Sequence, residues 1–568
     1  MAEEIFVDPE KLEAAKKRLL AEDPLFAVGE AKIRGLPYRV FKNAPPSLVG
    51  LFMYGTQHGE KDFIVYEGET MSFLETWRRA CRFADALKTK FAVSKGDRIG
   101  LAMRNYPEWC VSYMAIISLG AVVVPLNAWW KTEEFDFALK DCGARLIIVD
   151  GKRLDYLKPL KKDLGLTFIL TRDKADGADH SFDDILASSE TTTPPIADIA
   201  PDDDFAIVYT SGSTGRPKGA ILTHRGALTT LLSWAYLASA IREARDGISP
   251  FGDNPGVLLG VPLFHVTGSH SLFMFSWLIG RKVVMMYRWN AKQAIELINK
   301  HSLTNFTGVP SQSYEMMLVA EEKTMPTLID LASGGAKRPP DQVAKLKEKF
   351  PGANPSSGYG LSETNALGCV ISLQDYQSHP DSTGRPVPPV CDIKMMTETG
   401  EAKTGEVGEI WIRTAANFRG YLNLPEETER AITPDGWFRT GDLGRFDEDG
   451  FVYIVDRIKD LIIRGGENIS VLEVENVAYQ YKDVAEAAVF SVPDQSLGER
   501  VGVAVYPKPG RTIDLEDFRA FLLKHLAAFK TPERFWVSPA PLPRLGTQKF
   551  DKITIRMIAL QHPPALKI

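Results

Sequence analysis

Between residues 98 and 210 short apolar runs alternate with longer amphipathic stretches, and this alternation constrains the chain more than any other feature. The runs Arg98 to Ala102, Arg145 to Val149, Phe168 to Leu170 and Phe205 to Tyr209 are apolar or β-branched, which predicts strands. Strands separated by helical stretches predict a parallel α/β architecture. At 568 residues the chain exceeds one ordinary core, so several structural units are expected. Its 44% hydrophobic and 25% charged residues are those of a globular protein. A net charge of -6 argues against nucleic acid as the main partner.

The stretch Val111 to Trp130 carries no charge and is about as long as the ~20 residues that span a bilayer. Gly120 and Pro125 divide it, so a helix up to Leu119 followed by a strand Ala121 to Val124 is predicted, with no integral membrane segment. Five cysteines, Cys81, Cys110, Cys142, Cys369 and Cys391, are scattered and never form a CxxC pair. Neither a zinc site nor a disulfide framework is indicated. The acidic stretch Met1 to Lys11 lacks the basic flank and apolar core of a signal peptide, and a cytoplasmic location is expected. Arg172 to Asp204, acidic and rich in Ser, Thr, Ala and Pro, reads as an irregular connection. From Gly405 onward the texture becomes short strands split by turns, as in Gly408 to Arg413 and Gly450 to Val455, which predicts a small β-rich unit. A boundary is expected at residues 457-460. It would separate an N-terminal unit, 1-456, from a C-terminal one, 461-568, the latter of roughly 100 residues and so long enough to be a domain.

The strand at Phe205 to Tyr209 leads into Thr210-Ser211-Gly212-Ser213-Thr214-Gly215-Arg216-Pro217-Lys218-Gly219. Glycines expose backbone amides, hydroxyls donate to phosphate oxygens, and Lys218 adds a point charge. The chemistry suits a polyphosphate. The spacing is not that of a Walker A loop, because Pro217 stands where the second glycine would be required. A bare Gly-Ser-Gly would more often be a surface loop. The whole string resembles the signature of the adenylate-forming superfamily, which comprises acyl-CoA synthetases, firefly-luciferase-like enzymes and nonribosomal peptide synthetase adenylation domains.

Further segments resemble the same superfamily in its order. Ser357-Gly358-Tyr359-Gly360-Leu361-Ser362-Glu363-Thr364 is similar to the motif whose tyrosine stacks on adenine and whose glutamate holds Mg2+, which would here be Glu363. Ser333-Gly334-Gly335-Ala336 is similar to the turn that passes adenine and the acyl group. Phe264 and His265 fall in the stretch that borders the acid, together with Gly335 and Gly360. Gly436 to Leu443 resembles the ribose motif, with Asp442 as the ligand, and Arg457 matches an arginine that contacts the nucleotide. Lys459 falls at the hinge position, and Gly465 and Gly466 lie in a loop that resembles the lining of the thiol tunnel. Leu542 to Lys552 resembles the final motif, in which Lys549 would drive adenylation; Lys552 stands close by, and Gln548 replaces a usual glycine.

The resemblance implies an α/β fold with a large N-terminal domain of two doubly wound sheets plus a small β-barrel-like unit, followed by a small mobile α+β C-terminal domain. It implies an AMP-forming acyl-CoA synthetase that uses ATP, Mg2+ and coenzyme A, with Thr210, Lys218, Glu363 and Lys549 as catalytic candidates. A free-standing enzyme that loads a carrier protein, a luciferase-like oxygenase and a non-catalytic nucleotide binder are the alternatives. The apolar run Ser271 to Gly280 and the sequence Asn305 to Pro310 show no partner for an ammonium group. A hydrophobic acid is therefore expected, a fatty acid ahead of a ring-bearing one. A homodimer is compatible with the sequence.

Overall fold

The computed structural model describes residues 6-195, 197-210, 217-321, 324-546 and 549-568. Two large sheets dominate. The first runs from Gly420–Tyr421 through Lys218–Thr223, Asp204–Thr210, Val122–Pro125, Arg98–Ala102, Leu146–Asp150 and Thr167–Thr171 to His180–Ser181. The second runs from Arg385–Pro386 through Gly368–Ile371, Asn354–Gly360, Asp330–Gly334, Asn305–Gly308, Gly256–Leu259, Lys282–Met285 and Asp62–Tyr66 to Glu69–Ser72. Their central strands are parallel, as the alternating sequence predicts.

Burial explains why these strands read as nearly continuous apolar runs. In Arg98–Ala102, Ile99 and Leu101 face a core shared with the second sheet, while Ala102 joins a core on the outer face. The same division separates Leu259 from Leu258 in the second sheet. With helices on both faces, a strand has no polar side to show. The helices Phe73–Phe91 and Pro107–Ser118 fill the layer between the sheets. The uncharged stretch is thus a buried helix, Pro107–Ser118, and a strand, Val122–Pro125. Among the described residues no helix is long and apolar enough to cross a membrane.

Two expectations are corrected. The connection 172–204 is not wholly irregular: it contains the helix Phe182–Ala187, which is N-capped by Ser181 and held by buried Phe182 and Ile185. The small β unit begins before Gly405, because Asp392–Thr397 pairs with Gly408–Arg413 along five residues. That unit is an antiparallel path of five strands ending at Phe438–Phe446 and Val452–Arg457. After a 3-10 turn, Ile458–Asp460, the chain enters a third region. This region is a sheet built on the hairpin Val484–Asp494 and Gly498–Pro507, with the helices Val471–Gln480, Leu515–His525 and Lys552–Leu560 packed on it. All five cysteines are buried free thiols.

Candidate active site

The site is assembled from the ends of strands in the N-terminal region and one loop of the C-terminal region. Asp442 and Arg457 are opposite each other on neighbouring antiparallel strands. The Asp442 carboxylate is 3% exposed. It accepts from the Tyr359 hydroxyl at 2.7 Å and from Arg457 Nε at 2.9 Å. Burial and then the Asp442 carboxylate push the Tyr359 phenol well above its ordinary range, which keeps it a donor. Both Asp442 oxygens therefore have protein partners, and a ribose diol would share or displace them.

Tyr359 ends the strand Asn354–Gly360, which lies parallel to Asp330–Gly334 with Gly334 opposite Gly358. A Cβ built on Gly334 meets only the Gly358 carbonyl, at an ordinary 3.5 Å. The fold does not require glycine there, so the bare backbone leaves room for something else. Gly360 differs. A Cβ there would lie 2.2 Å from the Ala366 carbonyl oxygen, so the turn itself demands glycine. Gly335 has φ +75°, and Ala336 beside it is exposed.

Lys549 rests on Gly335. A Cβ on that glycine would come within 3.1 Å of Lys549 Cε and 3.4 Å of its Nζ. Burial, with Arg457 nearby, lowers the Lys549 ammonium to about 8. His265 is held neutral, lowered to about 3 by burial and then by the Lys549 charge. Its Nε2 is buried with no hydrogen-bond partner among the described residues, so it is available to a ligand. Phe264 packs edge-on against Trp129 at 5.4 Å. Lys549, Gly335, His265, Asp442 and Arg457 thus share one electrostatic neighbourhood, while Lys552 pairs with Glu475 within the C-terminal region at 2.8 Å.

Glu363 lies in the 3-10 turn Ser362–Thr364 and is buried. Its carbonyl accepts from the Phe418 N–H at 2.7 Å and its carboxylate from the Tyr421 hydroxyl at 2.9 Å. Burial raises its pKa, so a divalent cation brought with a nucleotide would favour the charged form. One buried carboxylate fits Mg2+, which takes its other ligands from phosphates and water. Among the described residues no group of three or more His, Cys, Asp or Glu side chains is arranged to hold a metal ion by itself.

The phosphate-loop candidates fall into two groups. Ser211, Gly212, Ser213, Thr214 and Gly215 lie outside the described residues, as does Gln548. Thr210 and Lys218 are opposite one another at the end of an antiparallel ladder, and the following helix starts only at His224. Lys218 Nζ is paired with Glu427 at 2.6 Å and lies 5.3 Å from the Tyr421 ring. Tyr421 therefore stands between Lys218 and Glu363, which nothing in its local sequence signals. Lys459 is exposed in the turn Ile458–Asp460. Gly465 and Gly466 form an exposed hairpin turn between Ile462–Arg464 and Glu467–Ile469, with Leu497 and Gly498 of their own sheet as neighbours.

A cavity of about 420 Å³ opens beside Phe264 and is lined by Arg104, Trp129, Lys152, Arg288, Arg544 and other residues. Arg104 lies 3.8 Å over Trp129. A Cβ on Gly546 would strike that ring at 2.4 Å, so Gly546 sits directly on it. Four cations among aromatic rings suit a polyanion that carries a flat group. No spacing in the sequence pointed to this convergence.

With this geometry, likeness to known proteins becomes informative. The AMP-binding enzyme family matches residues 52–422, and the AMP-binding enzyme C-terminal domain matches residues 473–549. The chain belongs to the AMP-binding enzyme family. A long-chain-fatty-acid–CoA ligase of Bacillus subtilis is 31% identical to this AMP-binding enzyme over 511 residues, covering 84% of this chain and 88% of the relative. An oxalate–CoA ligase of Arabidopsis thaliana is 30% identical over 492 residues, covering 85% and 92%. Among solved structures, o-succinylbenzoate CoA synthetase of Bacillus subtilis in complex with its acyl-adenylate intermediate superimposes with a TM-score of 0.77 at 26% identity, covering 91% of this chain and 99% of that one. The same protein with ATP and magnesium ion gives 0.75 at 27% identity, covering 89% and 99%.

Proposed function

We propose that this AMP-binding enzyme is an ATP-dependent acid–CoA ligase that forms AMP and pyrophosphate by way of an acyl-adenylate. The observation that carries the reading is Lys549, drawn from the C-terminal region and half-buried against Gly335 beside His265, Arg457 and Asp442. A half-buried cation at the junction of a carboxylate and an α-phosphate would hold two anions together and stabilise charge that grows during transfer. In the first step a carboxylate oxygen of the acid attacks the α-phosphorus and pyrophosphate leaves. In the second the thiol attacks the mixed anhydride and AMP leaves.

Each side chain then takes a role that its surroundings support. Asp442 and Arg457 receive the ribose, Tyr359 and the bare Gly334–Gly335 and Gly358 backbone receive the base, and Phe264, His265 and Gly360 border the acid. Thr210 and Lys218, with Ser211 to Gly215 between them, bind the departing phosphates; Lys218 would exchange Glu427 for them. Glu363 would hold magnesium, which neutralises pyrophosphate charge when bound. The turn at 457–460, with exposed Lys459, is the hinge between a unit 1–456 and a unit 461–568. Rotation there would bring Gly465 and Gly466 to the thiol path. The cationic cavity beside Phe264 supports a polyphosphate thiol such as coenzyme A as the acceptor.

A hydrophobic acid, a fatty acid first, remains the substrate reading, but its support changes. The apolar run that suggested it supplies Leu272, Phe273, Met274, Phe275 and Trp277 to the core between the two sheets, so packing explains its character. The fatty-acid reading rests instead on the likeness to the Bacillus ligase, and a ring-bearing acid is the second reading. Pyrophosphate release is to be measured over a panel of acids, with and without coenzyme A, with products identified by mass. Release that depends on a hydrophobic acid, with acyl-CoA appearing only when coenzyme A is present, is the expected result; no acid-dependent release would reject the activity. Lys459→Pro should slow thioester formation and spare adenylation, and an unchanged thioester rate would reject the hinge.

A further inference from the structure

Behind the acid-bordering residues runs a chain of buried polar side chains. It starts on Thr267–Met274, a π-helix, a form uncommon enough to be found chiefly at functional places. Ser269, His270 and Asn365 are 3%, 0% and 0% exposed. The Ser269 hydroxyl is 2.9 Å from His270 Nδ1, His270 Nε2 is 3.1 Å from Asn365 Oδ1, and Asn365 Nδ2 donates to the Ala416 carbonyl at 2.7 Å.

The His270 tautomer is set by Asn365. Because the Asn365 amide nitrogen faces a carbonyl, its oxygen must face His270, so Nε2 carries the hydrogen and Nδ1 is an acceptor facing the Ser269 hydroxyl, which also lies 3.1 Å from the His265 carbonyl and can donate to either. Burial lowers His270 to about 4, in keeping with a neutral ring. The chain ends where Glu363 is held. Asn365 takes a left-handed conformation, φ 50°, as the C-cap of the turn Ser362–Thr364. Ala416 lies in the segment whose Phe418 N–H and Tyr421 hydroxyl bind the Glu363 carbonyl and carboxylate. Gly226 makes the space, since a Cβ there would lie 2.6 Å from Asn365 Nδ2.

We propose that His270 and Asn365 are positioning residues, and that the chain Ser269–His270–Asn365–Ala416 fixes the Ser362–Thr364 turn against the 416–421 segment and so aims the Glu363 carboxylate at the magnesium of the nucleotide. The inference rests on Glu363 being the metal-facing acid. Asn365 contributes the clamp, because a left-handed residue that also bridges two segments holds the turn from both sides. His270 orients the amide; without it, the Asn365 oxygen would be a buried acceptor with no donor.

The test is calorimetric binding to the full-length protein without any acid, so that no turnover occurs. ATP is titrated at a series of magnesium concentrations, and AMP without metal serves as the control. H270F should raise the half-saturating magnesium concentration about 10-fold, leave AMP binding within about 2-fold, and be rescued by H270Q, whose amide again offers a donor to Asn365. N365D, which keeps the acceptor and loses the donor to Ala416, should behave as H270F does and provides the reading if H270F does not fold. Equal weakening of AMP and magnesium-ATP binding would mean a merely structural role and would overturn the proposal, as would an unchanged magnesium requirement in both variants. E363Q is run in parallel. If E363Q itself keeps the parent's magnesium requirement, the reading of Glu363 falls and this inference with it; if E363Q shifts while H270F and N365D do not, only the positioning role falls.

Discussion

Asp442 and Lys549 face the same site but are held in different ways. Asp442 sits midway along the strand Phe438–Phe446, in the last pair of its antiparallel ladder with Arg457 opposite, and is gripped by two side chains. Lys549 reaches Gly335 from the C-terminal region, on a segment whose contacts with the N-terminal region include Gly546 on Trp129 and Arg544 to Glu315 at 3.6 Å. One residue is set by secondary structure, the other by how two regions dock. A group needed throughout the reaction gains from the first arrangement, whereas a group needed for one step can be supplied and withdrawn by the second.

Loss of Lys549 should separate the two most strongly. Lys549→Ala is expected to slow adenylate formation roughly 100- to 1,000-fold while leaving thioester formation from supplied acyl-adenylate within a few-fold, measured by single turnover of each half-reaction. Equal losses would erase the contrast. Asp442→Ala should instead slow both half-reactions, by roughly 10- to 100-fold, because in the proposed mechanism the nucleotide stays on the N-terminal region in each; selective loss of one half would count against that.

The pH dependence sharpens the same comparison. With its ammonium lowered to about 8, Lys549 is cationic below that pH and neutral above it. The kcat/KM for adenylation should therefore hold below pH 8 and fall about tenfold per unit above it, while thioester formation from supplied adenylate shows no such limb. Lys549→Arg should remove the limb, and its persistence would assign it to another group. The smallest effect is expected from Gly335→Ala. A Cβ at φ +75° and 3.1 Å from Lys549 Cε should cost about 1 kcal/mol, or roughly 5-fold in adenylation rate, with the other half-reaction spared.

Much of this was legible in the sequence because it is local. Strand runs such as Arg98 to Ala102 and Gly408 to Arg413 reappear with the bounds read from alternation and burial. The helix Phe182–Ala187 was missed because its polar surroundings mask two buried apolar residues. Tyr421, Glu427, His270 and Asn365 were missed for a different reason. Each is unremarkable among its neighbours in sequence and gains its role from a partner between 58 and 209 positions away. The cationic cavity likewise draws Arg104, Arg288 and Arg544 from three distant segments.

The sequence by itself determined the layered α/β plan and marked Glu363, Asp442, Arg457 and Lys549 as candidate site residues, since hydrophobic period and turn chemistry act over a few residues and are written in order along the chain. Tertiary structure alone decided that Asp442 is shared by Tyr359 and Arg457, that Lys218 is paired with Glu427, that Gly360 is a demand of the fold, and that Lys549 rests on Gly335. Those outcomes depend on distance and burial between segments remote in sequence. Electrostatic strength follows spatial separation and local dielectric, neither of which the order of residues records.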